Sequence, residues 1–180
     1  YVWSDLVRKP TLVLSPNSAI QAQWAARTDL FDLDGKDEFI STDPENPGLL
    51  TSLTYQSITM PKRGGESLDD SAIELWMKSL IAKKEAMDDE SALAWIDDLR
   101  TKNNKYFDDR ISVYRKKVRD DLAQHGNALW TLSESSRKTL QRLKDVGIGL
   151  IILDECHHLL HHWGRVLTEV REYFDNPIVL

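Results

Sequence analysis

The sequence predicts an α/β domain, a mainly parallel sheet with flanking helices, interrupted by a long helical stretch. Three observations predict it. Thr11-Leu12-Val13-Leu14 is a short β-branched apolar run, followed by a helix-compatible segment and then by further strand-like runs. Strand, helix, strand in that order favours a parallel sheet with crossover helices. Leu150-Ile151-Ile152-Leu153 is a continuous apolar run that fits a central parallel strand covered on both faces. Between these regions, from about Lys62 to Gln124, apolar residues recur at helical spacing and no convincing strand occurs.

Taken in order, the first strand stops at Ser15-Pro16, and Asn17 or Ser18 caps a helix running to about Arg27. Glu38 to Ser41 and Leu49 to Tyr55 are the next strand candidates, separated by the turn-rich Asp43-Pro44-Glu45-Asn46-Pro47-Gly48. Pro61-Lys62-Arg63-Gly64-Gly65 breaks the alternation. Ser71 with Glu74 reads as a capping box, with Ile73, Trp76, Met77, Leu80 and Ile81 on one apolar face. A second helix is expected from about Glu90 to Leu99, and a long third carries Phe107, Ile111, Tyr114, Val118 and Leu122. Ser133 caps the next helix, with Leu140 and Leu143 inward, and Gly147-Ile148-Gly149 leads into the apolar strand. A helix with Leu159, Trp163, Val166 and Val170 inward and a terminal strand complete the pattern. The expected organisation is residues 1–60 as the first part of an α/β domain, 61–132 as a helical insertion and 133–180 as the second part. The ends, Tyr1-Val2-Trp3 and the apolar Ile178-Val179-Leu180, read as cut from a longer chain.

Composition narrows the classes. With 180 residues, 41% hydrophobic and 29% charged, the chain suits a soluble globular domain large enough for a real core. A net charge of −6 argues against a generally basic nucleic-acid binder, so any such contact must come from a local surface. A single cysteine, Cys156, excludes an internal disulfide and suits a reducing compartment. No apolar run approaches the ~20 residues of a membrane span, and the start has no signal-peptide pattern. A cytoplasmic location without a membrane partner is the expectation.

The chemistry concentrates where the strongest strand ends, at Asp154-Glu155-Cys156-His157. Open parallel sheets bind ligands beyond the carboxyl ends of their strands. Two adjacent carboxylates there can divide two tasks, one holding Mg²⁺ through water and the other deprotonating an attacking water. The same acids would also suit the start of a helix, where negative charge complements the dipole.

Asp154-Glu155-Cys156-His157 resembles motif II, the Walker B box, of DEAD/DEAH-box helicases of the second superfamily, in its DECH variant. Thr11-Leu12-Val13-Leu14-Ser15-Pro16-Asn17, with Gln23-Trp24 further on, resembles motif Ia of that group. Leu53-Thr54-Tyr55-Gln56-Ser57-Ile58 is similar to the Thr-Tyr-Gln stretch of its motif Ib, in the form typical of restriction-enzyme and DNA-repair translocases. The three occur in the family's order, and the resemblance covers residues 10–58 and 140–180. It implies part of the first RecA-like motor domain of an ATP-dependent DNA helicase or translocase. ATP and Mg²⁺ are the implied cofactors, and nucleic acid, with the remaining motor domains of a parent chain, the implied partners. Asp154 then takes the Mg²⁺ role, Glu155 the catalytic role, and His157 couples the nucleotide site to a later motif. Pro16, Asn17 and Ser18, with Thr54, Tyr55 and Gln56, fall to the face that tracks the nucleic-acid backbone. Backbone N–H groups at a helix start suit phosphate in physical terms as well; the competing structural roles are caps for Asn17 and Ser18 and packing for Tyr55.

The departures from the family are specific. No Gly-x-x-x-x-Gly-Lys-Ser/Thr loop occurs, and Gly35-Lys36 and Gly64-Gly65 have neither its spacing nor its setting. An isolated chain of this kind is expected not to turn over ATP. His157/His161 and His158/His162 sit four apart, a spacing that can bind a transition metal, but HExxH is absent and no carboxylate completes a set within that helix. In the helical middle, acids from Asp69 to Asp98 precede bases from Arg100 to Arg119. Such runs form solvated faces, although the basic stretch with Tyr106 and Tyr114 interleaved could also meet phosphates. Two other functions compete with a DNA motor: an ATPase stimulated by RNA, and a non-catalytic interaction domain that keeps the fold without the nucleotide site.

Overall fold

The computed structural model describes residues 9–26, 40–158 and 161–180, the side chains of 158, 161 and 162 excepted. Five strands form one sheet: β1 (Thr11–Ser15), β2 (Ile40–Ser41), β3 (Leu50–Thr54), β4 (Leu150–Leu153) and β5 (Ile178–Val179). Their order is β2-β3-β1-β4-β5, and every adjacent pair is parallel. The fold is thus α/β with a parallel sheet flanked by helices, and the run before Asp154 is an interior strand, as its apolar continuity predicts. All five residues of β1 are buried, including Thr11 and Ser15, because both faces of this central strand are covered.

The helices, in chain order, are α1 (Ser18–Ala26), α2 (Tyr55–Thr59), α3 (Glu66–Ala82), α4 (Asp89–Lys102), α5 (Asn104–Gln124), α6 (Glu134–Val146) and α7 (His161–Tyr173). The chain divides into two compact units. One joins residues up to Pro61 with Ala128–Leu180; the other is Lys62–Asn127.

In the sheet unit, Ser133 caps α6 by accepting the Ser136 N–H, and Gly147 ends it in the left-handed conformation at φ 81°. Leu140 and Leu143 are buried, with Ser136 and Thr139 on the same face. Pro61 bridges Leu132, and the Ser133 N–H donates to the Met60 carbonyl at 2.8 Å, so the points where the chain leaves this unit and returns are neighbours. Val166 and Val170 of α7 are fully buried, in keeping with their spacing.

The Lys62–Asn127 unit consists of α3, α4 and α5 around an aromatic core. Trp76, Phe107, Ile111 and Tyr114 form it with Ala72, Leu80, Ala92 and Ile96; Ile73, Met77, Ile81 and Val118 pack against its margin. Asp69 and Arg115 pair through two hydrogen bonds of 2.7 and 2.9 Å.

Several boundaries differ from the sequence reading. Ser71 and Glu74 form no capping box: α3 begins at Glu66, after Gly65 at φ 134°, and Ser71 lies inside the helix with its hydroxyl donating to the Ser67 carbonyl. Acidic Glu66 and Asp69 in the first turn suit the earlier start. The capping box of this unit is Asp88 with Ser91, at the head of α4. Strand β3 ends at Thr54, and Tyr55 opens a helical turn instead of closing the strand. Arg27, Gly35-Lys36, Glu38, Phe39 and Leu159 lie outside the described residues. Among the described residues no helix is long and apolar enough to cross a membrane.

Candidate active site

Parallel register brings three strand ends level. Ser15 lies opposite Thr54, Leu14 lies opposite both Leu53 and Leu153, and the Asp154 N–H donates to the Leu14 carbonyl at 2.9 Å. The turns that follow, Pro16-Asn17, Tyr55-Gln56 and Asp154-Glu155, therefore share one carboxyl edge. The chain leaves β1 towards β2 and β3 on one side, and leaves β4 towards β5 on the other. With right-handed crossovers these connections run over opposite faces, which makes the β1/β4 boundary a topological switch point, where open α/β sheets form their ligand crevice. Asp154 stands at that boundary.

Two donors converge on Asp154. The Trp24 indole N–H from α1 donates to Asp154 Oδ2 at 2.6 Å. The Tyr55 hydroxyl donates to the Asp154 carbonyl at 2.8 Å. Tyr55 is fully buried and stacks on Trp163 of α7, with centroids 5.4 Å apart and planes at 19°. Burial, with the neighbouring Cys156 and Asp154, pushes the Tyr55 phenol well above its ordinary pKa and keeps it a donor. Its ring offers no exposed surface, so whatever Tyr55 contributes at this edge passes through Asp154 or its own backbone.

Glu155 has φ 53°, the left-handed region that a non-glycine residue rarely enters. Its carboxylate is about half exposed, with Oε2 lying 3.3 Å from His157 Nε2. Cys156 is exposed. The side chains of His158, His161 and His162 lie outside the described residues. Among the described residues, His, Cys, Asp and Glu form no group of three that could hold a metal.

Around the other two turns, the Asn17 carboxamide oxygen accepts the Ile20 N–H at 3.0 Å and caps α1. Asn17, Ser18 and Gln56 are exposed, while Pro16 and Thr54 are half-buried. Thr54 and Ser57 share a hydroxyl hydrogen bond of 3.1 Å. Gln21 ties α1 to β3: its side-chain amide donates to the Ser52 carbonyl at 2.8 Å, and its main-chain carbonyl accepts the Ser52 hydroxyl at 3.0 Å.

The edge thus gathers every predicted residue, Pro16, Asn17, Ser18, Thr54, Tyr55, Gln56, Asp154, Glu155 and His157, onto three neighbouring turns. Sequence reasoning did not assign Gln21, Trp24 and Trp163. The first two were within reach, because Asn17, Gln21 and Trp24 follow the i, i+4, i+7 spacing of one helix face. Nothing in the sequence pairs Trp163 with Tyr55 across more than a hundred residues. No protein-family model matches the chain, and neither does any curated protein or solved structure compared with it.

Proposed function

We propose that this chain is part of a RecA-like motor domain of an ATP-dependent DNA helicase or translocase, with Lys62–Asn127 as a helical insertion. One observation carries the reading. The three turns that resemble motifs Ia, Ib and II lie side by side at the switch point, and side chains from the first two converge on the aspartate of the third.

In this reading Glu155 is the general base. A water oxygen bonds to the γ-phosphorus, the bond to the β–γ bridging oxygen breaks, ADP leaves, and the proton of the water passes to Glu155. The left-handed backbone at Glu155 supports the assignment, since such conformations concentrate where function demands a particular side-chain direction. Asp154 and Glu155 are hard oxygen donors and fit Mg²⁺. Mg²⁺, held by Asp154 through water, would neutralise charge developing on the phosphates. The Trp24 hydrogen bond engages Oδ2, so in this reading that task falls to Oδ1. His157, beside Glu155, is suited to relay the state of the site to a neighbouring motif.

Nucleic-acid backbone would meet the start of α1, where Pro16, Asn17 and Ser18 present a capped helix end, and the exposed side of the Thr54-Tyr55-Gln56 turn. The phosphate-cradling loop and an arginine finger would come from other parts of a longer protein. The finger alone is worth ~10³–10⁵ in rate. The test uses that longer protein. Asp154→Asn should weaken Mg²⁺-dependent nucleotide binding as well as turnover, whereas Glu155→Gln should spare nucleotide and DNA binding. Equal behaviour of the two variants, each loss tracking loss of folded protein, would overturn the assignment.

A further inference from the structure

No residue of helix α1 is fully buried, and Ile20, Gln21, Trp24 and Ala25 are half-buried. Polar links tie the helix to the sheet. Gln21 exchanges hydrogen bonds with Ser52, and one helical turn further on Trp24 reaches the Asp154 carboxylate. At 2.6 Å the indole contact is a short, charge-assisted hydrogen bond, and such bonds are stronger and more directional than neutral ones. The Tyr55 hydroxyl meanwhile holds the main-chain carbonyl of Asp154 from the β3 side. The backbone of Asp154 is thereby set by Tyr55, and the orientation of its carboxylate by Trp24.

We propose that Trp24 is a positioning residue: its indole N–H on Asp154 Oδ2 makes the orientation of the carboxylate depend on where α1 sits, so that nucleic acid engaged at the start of α1 is felt at Asp154. The inference rests on the functional reading of Asp154 and α1 given above and adds the physical link between them. A helix moves as a rod. Asn17, at the end exposed to a ligand, and Trp24, at the carboxylate, lie only ~10 Å apart at 1.5 Å per residue. Coupling of this kind is reciprocal: a ligand that shifts α1 changes the carboxylate, and a ligand on the carboxylate stiffens α1.

The test has two arms. In the first, the indole N–H resonances of this chain are recorded with ¹⁵N labelling, and that of Trp24 is assigned by its loss in Trp24→Phe. Asp154→Ala should shift the Trp24 resonance and speed its exchange with water more than those of the other indoles. In the second, DNA-stimulated ATP turnover is measured for the longer protein at varied Mg²⁺. Trp24→Phe keeps a ring but removes the donor. It should lower the stimulation by DNA by ~5-fold or more and raise the Mg²⁺ needed for half-maximal rate, while DNA affinity measured without nucleotide and Mg²⁺ holds. A merely structural role predicts unchanged stimulation and an unchanged Mg²⁺ requirement, with any loss following the melting temperature. An unmoved Trp24 resonance in Asp154→Ala overturns the proposal outright. Full stimulation in Trp24→Phe alongside collapse of turnover in Glu155→Gln overturns the proposal alone, and intact turnover in Glu155→Gln overturns the functional reading with it.

Discussion

Truncating Trp76 should unfold the helical unit, and replacing it by phenylalanine should not. Trp76 is fully buried, stacked on Tyr114 at 5.5 Å and 14°, with Phe107 at 5.9 Å and the edge of Trp95 at 6.0 Å. Trp76→Ala removes the ring that all three aromatics touch, which costs about 3–5 kcal/mol for a buried site. At ~0.05–0.15 kcal/mol per residue, a unit of this length is stable by only about 3–10 kcal/mol, so the loss consumes much or all of it. The indole N–H of Trp76, however, is buried with no hydrogen-bond partner. Such an orphan costs about 1–3 kcal/mol, and Trp76→Phe removes it while forfeiting ~1–2 kcal/mol of apolar burial. The two terms nearly cancel. The variants should therefore differ by ~3 kcal/mol, about two orders of magnitude in the unfolding equilibrium. Urea unfolding read by far-UV circular dichroism, with amide exchange in α3, α4 and α5, measures the difference. If Trp76→Phe costs as much as Trp76→Ala, or if Trp76→Ala unfolds like the wild type, the aromatic core is not what holds this unit together.

Two further outcomes follow from the sheet unit. The fold holds Tyr55 neutral, with its pKa raised, so its contribution is complete below about pH 10 and is lost as pH rises above that value. The melting-temperature advantage of wild type over Tyr55→Phe should therefore hold up to about pH 9 and shrink from about pH 10 upwards, and an advantage that stays constant above about pH 10 would refute the buried donor. Gly149→Ala would bring a new Cβ to 2.5 Å from Lys9 Cβ, while the Gly149 N–H is bonded to the Pro10 carbonyl and its carbonyl to the Ile178 N–H. With the backbone pinned on both sides, a loss of about 1–3 kcal/mol is expected in thermal unfolding, and an unchanged midpoint would show that Lys9 moves aside freely.

Much of this architecture is legible in the sequence because the signals are strong and local. The runs Thr11–Leu14 and Leu150–Leu153 announce interior parallel strands, and Ser133 with Gly147 brackets α6 at both ends. The start of α3 misleads because Ser71 and Glu74 satisfy a capping rule inside a helix that already begins after Gly65, six residues before Ser71. The carboxylates and the turns around them are legible through motif spacing. What binds them together is not, since Trp24 meets Asp154 across 130 positions and Tyr55 meets it across 99. Only the strand order β3-β1-β4 makes those residues neighbours, and no local pattern encodes that order.

In the proposed reaction Glu155 takes a proton from the water that attacks ATP. Its most direct test is single-turnover ATP hydrolysis by the longer protein with Glu155→Gln, which keeps the size of the side chain and an acceptor oxygen but cannot accept the proton. A fall of ~10²-fold or more is expected, with nucleotide and DNA affinity and the melting temperature retained. A folded Glu155→Gln protein that hydrolyses ATP near the wild-type rate would contradict it.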